Sequence, residues 1–290
     1  MNAEGGGGEG ERAARIAVPS KGRLRDDTLD LLSTAGYRVS GLRGRGSISR
    51  TAGLDLIEMR PRDAAAALAA GTLDAAFVAT DIAMEHGLSD LPRLPLGTAR
   101  STLVVAARDA DGPSDLADLD GGVVATHMPV VTERFLAESG VRARIITMGG
   151  SLEGACAAGL ADAIVDNTET GTSLRQNRLR VLATIAECEA EFVHREGLEQ
   201  LRDLELRLGA ALGARRHRYV MLHLPSGRID DLRAVFPGLA SPTVLPLAGR
   251  ADLVAVHFVV ETTQLWEQLA ELRAMGATGI VALPPDALLP

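Results

Sequence analysis

A short run near the middle of the chain combines a carboxylate, several hydroxyls and one glycine in a way that suits phosphate binding. Residues 166–173 read D-N-T-E-T-G-T-S and follow the apolar residues 163–165. Asp166 is therefore expected at the end of a buried strand, with the rest of the run forming the turn into a helix. The candidate phosphate-binding residues of this turn are Thr168, Glu169, Thr170, Gly171, Thr172 and Ser173.

Three physical properties of such a turn favour an anionic ligand. The first backbone N–H groups of a helix have no partner inside the helix and point toward the preceding turn. Gly171 permits a positive φ angle or a close approach of the backbone, and the hydroxyls add hydrogen-bond donors. The simpler alternative is that Ser173 caps the helix and that the threonines only fill a polar turn.

The elements around this turn predict a sheet that positions it. Apolar runs of strand length alternate with helical patterns from residue 15 to about residue 180. Strands that are separated by helices at this spacing indicate a mostly parallel sheet covered on both faces. Ligands of such sheets bind at the carboxyl ends of the strands, which is where the turn is expected.

The chain divides into a tail, a two-lobed α/β region and a smaller last domain. Residues 1–14 are rich in glycine and acidic residues and predict a disordered tail without the apolar core of a targeting segment. The first lobe is expected over 15–98, completed by about 181–212, and the second over 99–180. Residues 216–290 predict the order β-α-β-β-α-β of a ferredoxin-like domain with an antiparallel sheet.

Composition argues against several classes of function. The formal net charge is −8 without a long Lys/Arg stripe, and one Trp, two Tyr and five Phe are too few for extensive base stacking, so we expect no nucleic-acid partner. No apolar run approaches the roughly 18–20 residues that span a bilayer, so we expect no membrane partner and a cytoplasmic protein. The two cysteines, Cys156 and Cys188, are expected to be reduced thiols.

Several widely spaced motifs of the chain follow one another in the order that is typical of one family. The pattern D-x-x-x-T-G-x-[TS] from Asp166 to Ser173 resembles the phosphoribosyl pyrophosphate loop of phosphoribosyltransferases. The motifs of the wider resemblance are IAVPSKGRL at 16–24, RPRDAAAALAAGTLD at 60–74, GSLEGACAAGLADAIVDNTETGTSL at 150–174, SPTVLPLAG at 241–249 and VAVHFVVETTQLWEQLAELRAMGATGIVALP at 254–284. Together they resemble the long-form ATP phosphoribosyltransferases, and the resemblance covers the chain from about Arg15 to Leu289.

The resemblance implies a fold, a reaction and a set of ligands. It implies two catalytic lobes like those of periplasmic binding proteins, and a regulatory ACT-like last domain. N1 of the ATP adenine would displace pyrophosphate from phosphoribosyl pyrophosphate, with Mg²⁺ carried by the substrate, in the first step of histidine biosynthesis. L-Histidine would inhibit through the last domain, and the chain would form a homo-oligomer, a dimer or a hexamer.

The resemblance also assigns roles to residues by position. Lys21, Arg23 and Glu153 would be catalytic, and Asp166 would contact the ribose hydroxyls while residues 168–173 hold the 5-phosphate. The nucleotide-binding residues would be Gly22, Arg60, Asp81 and Ser151. The simpler interpretations are a solvated surface turn for Lys21 and Arg23, and a favourable helix first turn for Glu153.

Some positions depart from the family pattern. Ala76 and Ala79 stand where the family usually has glycine, and Val130 lies in a segment that lacks the family's usual Tyr-Pro-Asn/His-Leu character. Asn167 replaces an aliphatic residue and Ser173 replaces a threonine. Extra Cβ atoms could crowd a backbone-lined nucleotide pocket. The alternatives are therefore a paralogue that transfers phosphoribose to another nitrogen heterocycle, or a noncatalytic ligand-binding protein.

Overall fold

The structure is a computed structural model that describes residues 12–44, 46–239 and 241–289. Most of the predicted tail, residues 1–11, lies outside the described residues. The tail prediction is wrong at its end, because Ala14 already begins the first strand. Arg12 is held there by Asp74, a carboxylate that is only 3% exposed and that accepts two guanidinium hydrogen bonds of 2.7 Å from it.

Short strands and helices follow one another along the whole described chain. The strands are β1 (Ala14–Pro19), β2 (Ile48–Thr51), β3 (Leu54–Met59), β4 (Ala75–Ala79), β5 (Arg93–Pro95), β6 (Ser101–Arg108), β7 (Val123–Thr126), β8 (Arg144–Thr147), β9 (Ala163–Thr168), β10 (Leu179–Cys188), β11 (Ala190–His194), β12 (His217–Pro225), β13 (Thr243–Leu247), β14 (Arg250–Glu261) and β15 (Thr278–Leu283). The helices are α1 (Arg23–Thr34), α2 (Ser40–Arg43), α3 (Pro61–Ala69), α4 (Thr80–Glu85), α5 (Pro129–Glu138), α6 (Leu152–Ala157), α7 (Thr172–Gln176), α8 (Glu199–Arg216), α9 (Ile229–Val235), α10 (Thr262–Glu267) and α11 (Leu269–Ala274).

Strands β1–β11 form two sheets with the same internal order. The first sheet runs β2-β3-β1-β4-β11-β5 and the second runs β10-β6-β9-β7-β8. Strand β1 lies between β3 and β4, and β7 lies between β8 and β9. A strand that arrives from the other lobe follows in each sheet, β11 beside β4 and β6 beside β9. This arrangement with two chain crossings is typical of periplasmic binding proteins, so the fold is α/β with two lobes of that type.

The sheets are parallel at their centres and contain antiparallel pairs toward both edges of the first sheet and one edge of the second. Strand β1 pairs in parallel with β3 and β4, and β7 pairs in parallel with β8 and β9. The crossing strands β11 and β6 run antiparallel to β4 and β9, because each enters its sheet from the opposite lobe. The carboxyl ends of the central strands therefore meet at one edge of each sheet, and the polar turns lie there.

The chain leaves the second lobe later than the sequence predicts. The prediction placed residues from about 181 in the completion of the first lobe, but β10 pairs antiparallel with β6 in the second sheet as far as Cys188. Only after Glu189 does β11 join the first sheet, beside β4 and β5. Strand β10 thus runs back along β6 before the chain crosses to the first lobe.

The last domain has the predicted β-α-β-β-α-β order. Its antiparallel sheet has the order β13-β14-β12-β15, and the last predicted helix is divided into α10 and α11. One face of the sheet packs on the helices through Val220, Leu222 and Leu224 of β12, which alternate with exposed or half-buried neighbours. The fold class predicted from the sequence is thus confirmed in both of its parts.

The described chain forms two compact units. One contains Tyr37–Arg202 together with the chain up to Asp30, and the other contains Leu31–Gly36 and the chain from Asp203 onward. No helix in the described ranges is long and apolar enough to cross a membrane. Both cysteines are free and buried. Burial raises the pKa of the Cys188 thiol to about 11, so this thiol is protonated at neutral pH.

Candidate active site

The hydroxyl-rich turn, residues 168–173, is held together by hydrogen bonds of its own side chains. The Thr168 hydroxyl accepts a 2.9 Å hydrogen bond from the backbone N–H of Gly171, and the Thr170 and Thr172 hydroxyls lie 2.8 Å apart. Gly171 has φ +69°, a left-handed conformation that favours glycine. The loop ends where α7 begins at Thr172, so the first N–H groups of that helix face the turn.

Ser173 connects the loop to a neighbouring helix instead of capping its own. Its hydroxyl donates a short hydrogen bond to Oε1 of Glu153, which is half-buried in the first turn of α6. Gly171 occupies the capping position of α7, where no side chain makes a capping hydrogen bond. The alternative in which Ser173 is only a helix cap is therefore wrong. Ser151, just before α6, is exposed and has φ +57°.

Asp166 lies within β9, not at its end as the sequence predicts, because the strand keeps pairing with β6 as far as Thr168. Its Oδ1 accepts a 2.8 Å hydrogen bond from the backbone N–H of Asn167 and lies 3.5 Å from Nδ1 of His127. Burial raises the pKa of the Asp166 carboxyl above its ordinary value. The carboxylates of Glu153 and Asp81 act in the same direction, while His127 and the Asn167 N–H oppose the shift.

His127 is a member of this group that the sequence did not identify. It follows β7, and β7 is the parallel neighbour of β9. The carboxyl ends of two parallel neighbours meet at the same edge, so the polar residue after β7 was a detectable signal. His127 therefore adds an imidazole ring to the group of carboxylates around Asp166.

A hydrogen bond between the two lobes joins Asn167 to Asp81. Nδ2 of Asn167 donates to Oδ2 of Asp81 over 2.5 Å, and Oδ1 of Asn167 lies 3.4 Å from the Ser101 hydroxyl. Asp81 is in the first turn of α4 and is only 4% exposed. Its Oδ1 is buried and has no hydrogen-bond partner among the described residues. The departure at Asn167 therefore has a specific role, because an aliphatic side chain cannot donate this bond.

Two further contacts hold the start of α5, in the second lobe, against the first lobe. Glu85 of α4 accepts the backbone N–H groups of Val130 and Val131 at 3.1 and 2.9 Å. Arg62 of α3 donates to the backbone carbonyl of His127. Backbone groups at position 130 thus take part in the lobe contact, while the Val130 side chain itself is 53% exposed.

The basic candidates lie at the corresponding edge of the first sheet. Lys21, Gly22 and Arg23 form the exposed turn after β1, and Arg60 is exposed between β3 and α3. Since β1 and β3 are parallel and pair from end to end, both turns leave the same edge. Arg23 lies 3.7 Å from Asp27 one helical turn later, while Lys21 and Arg60 form no ion pair in the part of the chain that the structure describes.

The two alanines that replace family glycines differ in their surroundings. Ala76 is fully buried in the core of the first lobe, in one cluster with Ala17, Ala64 and Val193. Its Cβ therefore fills the core and does not crowd an open pocket. Ala79 is half-buried at the end of β4, immediately before α4. Of the two alanines, only Ala79 has a Cβ near Asp81 and the first turn of α4.

We expect Asn167→Leu to lower the free energy of unfolding by about 1–3 kcal/mol, because it leaves a buried carboxylate without its donor. Thermal or urea unfolding of the variant measures this loss. The double variant Asn167→Leu with Asp81→Leu should recover part of it, since both polar partners are then removed together. If the double variant instead loses the sum of the stability losses of the two single variants, the two side chains do not interact.

The two α/β lobes carry a hydroxyl-rich loop, a group of buried and half-buried carboxylates and exposed basic turns at the carboxyl ends of their central strands. They define a class of two-lobed α/β proteins whose strand ends suit a polar, anionic ligand. The comparisons with known proteins narrow this class. The family model described as ATP phosphoribosyltransferase matches residues 60–209, and the model of the C-terminal domain of the same family matches residues 214–285. The chain belongs to the ATP phosphoribosyltransferase family.

Relatives that carry the family's name match nearly the whole chain. The ATP phosphoribosyltransferase of Gemmatimonas aurantiaca is 36% identical, with 95% of this chain and 99% of the relative covered. That of Halobacterium salinarum is 37% identical with the same coverage. A solved ATP phosphoribosyltransferase complex (HisG:HisZ) from Thermotoga maritima matches with a TM-score of 0.58 and 29% identity, covering 67% of this chain and 96% of that one. The chain is a glycosyltransferase of the first step of histidine biosynthesis.

Proposed function

We propose that the loop 168–173 binds the 5-phosphate of phosphoribosyl pyrophosphate and that Asp166 binds the ribose hydroxyls. The observation that carries the proposal is the left-handed Gly171 between a hydroxyl-closed turn and the start of α7. This geometry brings the first N–H groups of α7 and the threonine hydroxyls together in one turn, which suits a phosphate. Glu153, tied to the loop by Ser173, then lies beside the sugar.

The first lobe takes the second substrate in this proposal. Lys21, Arg23 and Arg60 supply positive charge at the edge of the first sheet, where pyrophosphate and the ATP phosphates carry negative charge. Gly22 has φ +79° and leaves open space around its α-carbon, so a ligand can approach the backbone closely. Oδ1 of Asp81, which has no hydrogen-bond partner among the described residues, can accept an N–H donor such as an adenine amino group. Ser151 offers a further hydroxyl beside Glu153.

The reaction requires positioning more than covalent participation by the protein. N1 of adenine attacks the anomeric carbon as pyrophosphate leaves, so positive charge develops on the ribose ring and negative charge on the leaving group. Carboxylates on one side and guanidinium and ammonium groups on the other stabilise these charges. No cluster of three or more His, Cys, Asp or Glu residues in the described ranges could hold a metal ion. In this proposal Mg²⁺ is carried by the substrate, where it would neutralise pyrophosphate charge.

Arg175 extends the proposed phosphate site, and the sequence did not single it out. Its Nη2 lies 3.1 Å from the Thr172 hydroxyl, and its Nη1 lies 2.9 Å from the position of a Cβ built on Gly171. We expect Arg175→Gln to raise the KM for phosphoribosyl pyrophosphate about tenfold with little change in kcat, because a charged hydrogen bond to phosphate is lost. Steady-state kinetics measure this. Arg178→Gln is the matched control, an exposed arginine whose side chain makes no loop contact; an equal effect of both variants would contradict the assignment.

We also propose that L-histidine inhibits through the last domain, in a cytoplasmic homo-oligomer. Regulation at a distance needs a coupling free energy, typically about 1–3 kcal/mol. We expect saturating L-histidine to lower the initial rate at least fivefold, whereas D-histidine has no comparable effect. Rates that are unchanged by L-histidine at every substrate concentration would contradict the proposal.

An acceptor screen tests the proposed function as a whole. The purified protein is incubated with phosphoribosyl pyrophosphate, Mg²⁺ and either ATP or one of several other nitrogen heterocycles, and products are followed by mass. Phosphoribosyl-ATP is the expected product. Efficient transfer to another heterocycle without transfer to ATP would support the paralogue alternative, and no transfer to any acceptor would support a noncatalytic protein.

A further inference from the structure

We propose that the last domain contains a second ligand site, which binds a small anion carrying a planar aromatic group. A cavity of about 650 Å³ lies between helices α10–α11 and the edge strand β15. This volume is within the range of about 300–1,000 Å³ that is usual for small-molecule sites. The lining residues on which the proposal depends are Arg218, Trp266, Leu269, Arg273, Thr278 and Ile280.

The charge of the cavity indicates an anion. Arg218 of β12 and Arg273 of α11 both line it, and no Asp or Glu side chain does. Neither guanidinium has an ion-pair partner in the part of the chain that the structure describes; Arg218 only donates to the backbone carbonyl of His217. Two guanidinium groups without ion pairs give the cavity a local positive charge in a chain of net charge −8, and planar guanidinium groups suit carboxylate or phosphate oxygens.

The apolar part of the cavity indicates an aromatic ring. Leu269 and Ile280 pack on the buried core of the domain and form an apolar floor. Trp266 is 65% exposed beside them, an unusual position for so large an apolar side chain. An aromatic ligand would cover the indole ring, while its anionic group meets the guanidinium groups and the Thr278 hydroxyl.

The same chemistry separates this cavity from a site for histidine. A free amino acid carries an ammonium group, which is stabilised best by a carboxylate, and the cavity has no Asp or Glu among its lining residues. An amino acid bound in this cavity would also have its ammonium group near the guanidinium groups of Arg218 and Arg273. The inference therefore concerns a different ligand and does not depend on the proposed phosphoribosyl pyrophosphate loop or on histidine inhibition.

Fluorescence of the full-length protein tests the proposal, because Trp266 is the one tryptophan of the sequence. The probes are 4-nitrobenzoate, its neutral counterpart 4-nitrobenzamide, and acetate as a non-aromatic anion. We expect saturable quenching by 4-nitrobenzoate only, with a Kd that rises about tenfold in Arg218→Gln and in Arg273→Gln. Arg233→Gln, on helix α9 and outside the cavity, should bind the probe like the unmodified protein.

Several outcomes would overturn the site. Equal and unsaturable quenching by 4-nitrobenzoate and 4-nitrobenzamide would show collisions with an exposed ring only. Saturation that is unchanged in Arg273→Gln would remove the charge argument, and this exposed residue can be replaced even if Arg218→Gln fails to fold. Trp266 emission that depends on protein concentration and excludes the probe would show that a second copy of the chain covers the cavity.

Discussion

Gly171→Val is expected to lower kcat/KM for phosphoribosyl pyrophosphate by about 100-fold or more, because the displaced loop no longer holds the 5-phosphate in the position that places the anomeric carbon for attack. Position 171 has φ +69°, where a β-branched side chain is strained by about 1–3 kcal/mol. The new side chain would also meet Nη1 of Arg175, which is 2.9 Å from the built Cβ. Initial rates at varied substrate concentration, together with thermal unfolding, separate the two effects.

Gly140→Val provides the matched control for that experiment. Gly140 lies in the same lobe with φ +72°, and a Cβ built on it meets no atom within 4 Å. Gly140→Val therefore introduces the same backbone strain at a position outside the loop. We expect a similar loss of stability with nearly unchanged kcat/KM. Equal losses of activity in the two variants would show that Gly171 matters only for folding.

Asp166→Asn is expected to make the protein slower and more stable at neutral pH. The variant keeps an acceptor for the Asn167 N–H but loses the negative charge next to the ribose, which should lower kcat by roughly 100-fold. Because burial raises the pKa of Asp166, the charged carboxylate is less favourable in the folded state than in the unfolded state. Its contribution to stability is present in acid and is lost as the pH rises through the folded pKa. Asparagine stays neutral, so the variant should gain stability at neutral pH and not in acid.

Unfolding temperatures measured at neutral pH and below the ordinary carboxyl pKa test this reversal. Asp162→Asn is the contrasting control, since Asp162 precedes the same strand and its carboxylate accepts the Val123 backbone N–H at 2.8 Å. We expect that variant to be no more stable than the unmodified protein and to retain its activity. A lower unfolding temperature for Asp166→Asn at neutral pH would mean that the charge at this position stabilises the fold.

The parts of the fold with local sequence signals were predictable. Apolar runs of strand length and helical patterns indicate β1, α3, β9 and the whole β-α-β-β-α-β domain, because each is encoded by neighbouring residues. The partner of a strand is not encoded locally. Strand β10 could have completed either lobe by its composition, and only its pairing with β6 assigns it to the second sheet.

The same distinction explains the site. The loop 168–173 is contiguous, so its hydroxyls and glycine were visible as one group. The contact between Asn167 and Asp81 joins residues 86 positions apart, in different lobes, and no local pattern predicts it. In the sequence, Asn167 stands out only as a departure from the family pattern. The sequence also suggests that Ala76 crowds a pocket, whereas its Cβ is buried in the core. Departures of this kind are interpretable only when the neighbours of the side chain are known.

A crystal structure with phosphoribosyl pyrophosphate and Mg²⁺ bound tests the central assignment most directly. The account predicts that the 5-phosphate lies within hydrogen-bond distance of the backbone N–H groups of Thr172 and Ser173, with the ribose hydroxyls on Asp166 and the pyrophosphate toward Lys21 and Arg23. A 5-phosphate held elsewhere, with the loop 168–173 making no contact to the substrate, would contradict it.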